Sequence, residues 1–324
     1  MQKRFSVRRA MVVLALLALV PTVRAQTYPD KPIRLVVPYA PGGTSDIVAR
    51  LIAAPLWNAI GQPVIADNRP GAGSNIGTEI VAKATPDGYT LLMATPALSS
   101  NPALYGKVNW DPVASFSPVT LVGEVPVVLV VHPSLSAKSV RDLIALAKAQ
   151  PGKLNFGSSG NGGIGHLVGE HFKSMAGVDV THVPYKGNGP ALIDLMAGAL
   201  NLTFSDLAGA SPFMKAGKLR PLAIASARRS PTAPDLATMS EAGVPGFQAS
   251  SWFAVFAPVG TPRPIVTRLN TEIVKVIHAP ELRDRMTGLG FEVVGGKPEE
   301  LGAFLKAEIV KWRKVIKDSG AKVD

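Results

Sequence analysis

Three glycine-rich segments carry residue types through which a backbone can hold a small ligand: Gly42-Gly43, Gly160-Asn161-Gly162-Gly163 and Gly187-Asn188-Gly189. Glycine lets main-chain N–H groups approach a ligand closely. Where such a segment opens a helix, the first N–H groups are unpaired and carry partial positive charge, which suits a carboxylate or phosphate. Hydroxyls at Thr44, Thr95 and Ser158 add donors beside these segments. A single such segment reads as a tight turn. Three of them, each between a strand and a helix, favour a ligand cradle.

Sharper catalytic patterns fail on inspection. Gly160 to Gly165 fits the form G-x-G-x-x-G, but a ribose-binding acid belongs at the carboxyl end of the next strand, and Asp179 precedes that strand. Gly157-Ser158-Ser159-Gly160-Asn161 lacks the closing glycine of a nucleophile elbow. No H-E-x-x-H exists. His166 and Glu170 share a helix face, but two ligands are too few for a metal, so His166 reads as capping or lining the loop it follows. His132, His182 and His278 have no partner at an interpretable spacing. Asp46 reads as a helix-dipole residue, and Arg69 as a brace for its own turn. Lys186 is placed to face either a cleft or solvent. Trp252 and Trp312 read as core or hinge packing.

These loops need a scaffold, and the flanking pattern supplies one. Ile33 to Val37 reads as a strand, and Thr44 or Ser45 as the cap of a helix reaching about Ile60. Pro63 to Asp67 is a second strand, Asn75 to Ala84 a helix and Thr90 to Ala94 a third strand. This β-α-β-α-β order implies a parallel sheet covered by helices. The same grammar recurs: helix 139–150, strand 154–156, helix 164–175, strand 180–183, helix 190–199 and strand 201–205, ending at Asp206. The corners Pro38-Tyr39-…-Gly43 and Pro184-Tyr185-…-Gly189 are alike. Two apolar runs, Val125 to Val131 and Ser251 to Ala257, read as paired strands crossing between two α/β halves. Ile265 to Ile277 and Pro298 to Ser319 show helical spacing. The expected division is therefore 26–125 and 251–324 for the first domain and 126–250 for the second.

Residues 1–25 read as a cleavable signal peptide. Lys3, Arg4, Arg8 and Arg9 precede 11 apolar residues from Ala10 to Val20, and Val23-Arg24-Ala25 supplies a small-residue cleavage site. A membrane span needs about 20 apolar residues. Cleavage would remove five basic and no acidic residues, taking the formal charge from +11 to +6. That charge is spread thinly, with no Lys/Arg block, which suits anionic small molecules or an envelope surface at least as well as nucleic acid. With no cysteine among 324 residues, disulfide scaffolds, thiolate metal sites and an acylated N-terminal cysteine are excluded.

Across nearly all of residues 26–324 the chain resembles the tripartite tricarboxylate transporter receptors, the Bug family of extracytoplasmic solute-binding proteins. The resemblance rests on Pro38-Tyr39-Ala40-Pro41-Gly42-Gly43-Thr44-Ser45-Asp46, Asp67-Asn68-Arg69-Pro70-Gly71-Ala72-Gly73 and Pro86-Asp87-Gly88-Tyr89-Thr90-Leu91. It continues through Gly157 to Gly162, His166-Leu167, Val183 to Gly187, Ala257 to Pro262 and Lys311-Trp312. It implies a two-domain α/β Venus flytrap of the type II periplasmic-binding kind, closing on a carboxylic acid without cofactor, metal or catalysis. By position, Tyr39, Gly42, Gly43 and Thr44 form one jaw. Ser158, Gly160, Asn161 and Gly163 form the other, with His166 behind it. Thr95 and Asn101 would line the first domain's side, and Tyr185, Lys186, Gly187 and Asp206 the second's. Gly163 stands where relatives often carry Ser or Thr, which removes one hydroxyl contact. The implied partners are a small organic anion and inner-membrane transporter subunits, or alternatively a sensor protein, served by a monomer that binds no nucleic acid. An envelope hydrolase or oxidoreductase on the same fold is the competing class.

Overall fold

The computed structural model describes residues 28–323, so the signal-peptide expectation lies outside the described residues. Residues from Lys31 onward form one compact unit. Its first half is built on the parallel strands β1 (Ile33–Val37), β2 (Val64–Asn68) and β3 (Thr90–Ala94), in the order β2-β1-β3. β1 is almost wholly buried and apolar, as a strand covered on both faces must be. Helices α1 (Thr44–Ile60), α2 (Asn75–Ala82) and α3 (Ala97–Tyr105) follow these strands.

β4 (Phe116–Val131) is 16 residues long and serves both halves. Phe116 to Pro126 pairs antiparallel with β9 (Ser250–Pro258), which in turn pairs with β3. Val127 to Val131 pairs instead with β7 (Leu202–Asp206) and β8 (Arg220–Ile224). Only the beginning of the Val125–Val131 run therefore pairs with β9, and the crossing strand starts nine residues earlier than the apolar run suggests. Pro118 and Gly123 break that earlier stretch in the sequence, while register shifts at Pro118/Thr120 and Leu121/Gly123 absorb them in the sheet.

The second half runs β7-β5-β6 in parallel, with β5 at Asn155–Ser158 and β6 at Thr181–Pro184. Helices α4 (Val140–Ala149), α5 (Ile164–Ala176), α6 (Asn188–Met196) and α7 (Leu207–Lys215) cover it. The chain ends with α8 (Arg263–Ile277), α9 (Pro280–Gly288), β10 (Glu292–Gly295, on β4) and α10 (Pro298–Ser319). This is the α/β fold with two crossing strands expected from the pattern.

Two apolar cores result. One gathers Val36, Leu92, Trp110, Phe116, Trp252 and Phe256, and the other Val127, Phe156, Leu167, Phe172, Phe204 and Phe247. α10 enters both, with Leu301 and Leu305 in the first and Trp312 and Ile316 in the second. Between these pairs Glu308 is buried, and its Oε2 accepts the indole N–H of Trp252 at 2.9 Å and of Trp312 at 2.8 Å. No helix among the described residues is long and apolar enough to cross a membrane.

Candidate ligand-binding cleft

The two similar strand-to-helix corners meet each other. Ala40 donates its backbone N–H to the Lys186 carbonyl at 2.8 Å. A Cβ on Gly189 would lie 3.0 Å from the Pro41 carbonyl oxygen and 3.2 Å from the Gly43 nitrogen, so any larger residue would push the two corners apart by a few tenths of an ångström. The second pair of loops also touches. Ser100 Oγ donates to the Gly162 carbonyl at 2.9 Å, and Gly162, at φ +80°, packs directly on the Asn101 side-chain oxygen.

Between these contacts lies a cavity of about 20 Å³, room for roughly one water molecule. The two loop pairs are in contact around this space, which is too small for a molecule larger than water. Tyr39, Gly43, Thr44, Thr95 and Asp206 line the cavity. Besides the N-cap residues of α3 (Pro96) and α7 (Asp206), three helix N-termini reach it: those of α1 at Thr44, α5 at Ile164 and α6 at Asn188. Their N-cap residues are Gly43, Gly163 and Gly187, none of which makes a side-chain cap bond. Thr44 and Ser45 are thus inside the helix, not its cap. The α1 helix instead uses Asp46, which accepts from Gly42 N–H at 3.1 Å and from Arg50 Nε at 2.9 Å. Burial works the other way, but these bonds hold the Asp46 carboxyl below its ordinary range.

Tyr39 is fixed by a 2.9 Å hydroxyl contact with Thr95 Oγ1, both groups being buried. Such a bond contributes about 1 kcal/mol. Burial pushes the Tyr39 phenol up to about 12, aided by the nearby Asp206 charge. Asp206 itself is raised to about 6 by burial, which the adjacent Ser251 and Thr44 hydroxyls only partly offset.

The remaining expected residues stand behind or beside the cavity. Ser158 Oγ contacts His182 Nε2 at 2.7 Å and accepts from Gly160 N–H at 3.1 Å, so it braces its loop. His166 Nδ1 accepts from Gly162 N–H at 3.2 Å, and its ring stacks on His182 at 4.3 Å. His182, with no sequence partner, is therefore part of this brace. The Asn161 carbonyl accepts from Tyr105 OH at 3.4 Å, and Asn101 Nδ2 donates to the Gly73 carbonyl at 2.8 Å. Tyr185 OH is bonded to Asp194 at 2.6 Å, and burial with this bond raises it to about 12. Lys186 is exposed and contributes its carbonyl to the jaw contact, and the residue borders a second small cavity of about 30 Å³ shared with Tyr39, Gly73 and Tyr185. Arg69 Nε donates to Asp67 at 3.0 Å within its own turn, and Glu170 pairs with Lys173, not with His166.

Sequence reasoning missed Asn188, Phe204, Ser251 and Phe253, all of which line the cavity. Ser251 and Phe253 flank Trp252 on β9, and strand alternation turns them inward as Trp252 turns toward Glu308. That period-two signal was available in the crossing strand.

Residues 48–321 match the model of the tripartite tricarboxylate transporter family receptor. The chain belongs to this family. Among receptor relatives, Protein BugT of Bordetella pertussis is 38% identical over 93% of both chains. The solved structure of Rpa4515 of R. palustris with adipate is 42% identical, with a TM-score of 0.89 over 92% of this chain and 100% of that one. MatC (Rpa3494) from Rhodopseudomonas palustris, solved with bound malate, is 34% identical, with a TM-score of 0.86 over 89% and 100%. This receptor is accordingly a periplasmic solute-binding protein of the Bug type, and its loops are those of a binding family.

Proposed function

We propose that this receptor captures a small carboxylic acid between its jaws, without chemical turnover, and delivers it to the membrane subunits of a tripartite tricarboxylate transporter. One observation carries the reading. The N-termini of α1, α5 and α6, each with glycine at the N-cap, converge on one cavity from both halves of the sheet. Unpaired N–H groups at helix starts favour an anion, and only a closed cleft brings the three together. The jaws are Tyr39 to Thr44 and Ser158 to Gly163, with Thr95, Asp206 and the Lys186 carbonyl completing the enclosure. The domains divide at 125/126 and 250/251, where β4 and β9 pass between the two cores. The adipate- and malate-bound relatives support a carboxylate as the ligand. Residues 1–25 act as a signal peptide removed on export, and the mature receptor works as a monomer.

A thermal-shift screen of the purified mature receptor with di- and tricarboxylates, hydroxy acids, amino acids and aromatic acids tests this. A ligand at 100 times its Kd stabilises by about 2.7 kcal/mol. Silence from every organic anion, or turnover of any of them, would overturn the proposal.

A further inference from the structure

The cavity that should attract an anion contains a buried acid. Asp206 is the only charged side chain among the described residues lining it, and no Lys, Arg or His lines it with Asp206. The residue is 7% exposed. It occupies the N-cap position of α7, yet its side chain makes no cap bond. Its Oδ1 is buried without a hydrogen-bond partner, and so is the facing Thr44 Oγ1. A buried polar oxygen left unpaired is costly, and native proteins rarely keep one without a use. Thr44 Oγ1 is held there by α7, since a Cβ on Gly209 would fall 2.8 Å from it.

A plain carboxylate entering this space meets like charge from Asp206, which disfavours having both groups ionised. A ligand that also carries a donor replaces that repulsion with a charge-assisted hydrogen bond. We propose that the ligand is an acid bearing a hydroxyl or ammonium donor, which pairs with the Asp206 carboxylate while the ligand carboxylate occupies the helix N-termini. This rests on the receptor reading above. Asp206 is then the specificity-determining residue, selecting hydroxy or amino acids over plain acids of equal length.

Calorimetric titration with matched sets tests the inference: succinate, malate and aspartate; glutarate, 2-hydroxyglutarate and glutamate; adipate; and benzoate with its hydroxy and amino derivatives. Donor-bearing members should bind about 10- to 100-fold tighter than the plain member of the same set. The hydroxy and amino arms separate the two donors. Asp206→Ala should collapse the preference within a set to about threefold or less, and Asp206→Asn should tighten plain acids, because a buried negative charge is gone. That gain is one a merely structural role for Asp206 would not produce, and the melting temperature of each variant checks its fold. Equal binding of plain and donor-bearing acids by the unaltered receptor would overturn this inference and leave the receptor reading standing. Binding of none of the probes would overturn both.

Discussion

Replacing Glu308 tests how the two cores are joined. One oxygen of Glu308 serves two buried indole N–H groups, from Trp252 on the crossing strand β9 and from Trp312 on α10. Its other oxygen accepts from Lys311 at 2.9 Å, but that lysine is 42% exposed, so its pairing adds little. Glu308→Ala leaves both indoles unpaired in an apolar setting. Each hydrogen bond to a charged acceptor contributes about 1.5–3 kcal/mol, so the expected loss of the two is about 3–6 kcal/mol. Glu308→Gln keeps one carbonyl oxygen, which has two lone pairs and can accept from both indoles. Its loss should be about 2 kcal/mol, the difference of about 1 kcal/mol between a charged and a neutral acceptor counted for both bonds. Urea denaturation followed by tryptophan fluorescence measures both, since two of the reporting rings are the ones involved. Equal losses for the two variants, or less than about 1 kcal/mol for Glu308→Ala, would refute the shared-acceptor reasoning.

Gly73→Ala places a methyl group against the Asn161 carbonyl across the cleft. The methyl also meets Tyr105 OH within the same half, and Gly73 sits at φ +58°, so the melting temperature of the free receptor should fall while affinity for any bound acid falls roughly tenfold or more, read by calorimetry. Asp206 gives a pH signature. Its folded pKa of about 6 lies above the ordinary aspartate value of 3.8, so the folded state holds the proton more tightly than the unfolded one. Stability is therefore greatest below pH ~4 on this account and falls as pH rises through ~6, by about 3 kcal/mol at most. In Asp206→Asn that fall should disappear from the stability profile between pH 4 and 6.5.

The strands and long helices of this receptor were legible because burial imposes a period. Thr90–Ala94 and Pro298–Ser319 match their expected bounds. α3 and α7 were not legible. Each carries an internal proline, Pro102 and Pro212, in a segment of Ser, Ala and Gly that reads as loop. Burial of their first turns between neighbours holds them helical despite weak propensity. The corner loops pointed to a ligand-facing region through glycine and position alone. Which side chains face the cavity depended on contacts between segments far apart in the chain. Ser158 turns to His182, Asn101 turns to Gly73, and Asn188 lines the cavity, and none of these has a local cause. Lys186 was open in sequence and is exposed in the fold, because only its backbone is needed where the corners meet.

α10 has a mechanical consequence. A rod seated at one end in each of two bodies cannot follow both when they swing apart, unless the pivot passes close to its midpoint. Glu308 is near that midpoint, beside the residues where β4 and β9 cross. Points on a pivot axis turn without travelling, so the indole bonds can persist while the distant jaws sweep through the largest arc. For the closure proposed above, the helix would therefore be least displaced at its centre, and its two ends would travel most.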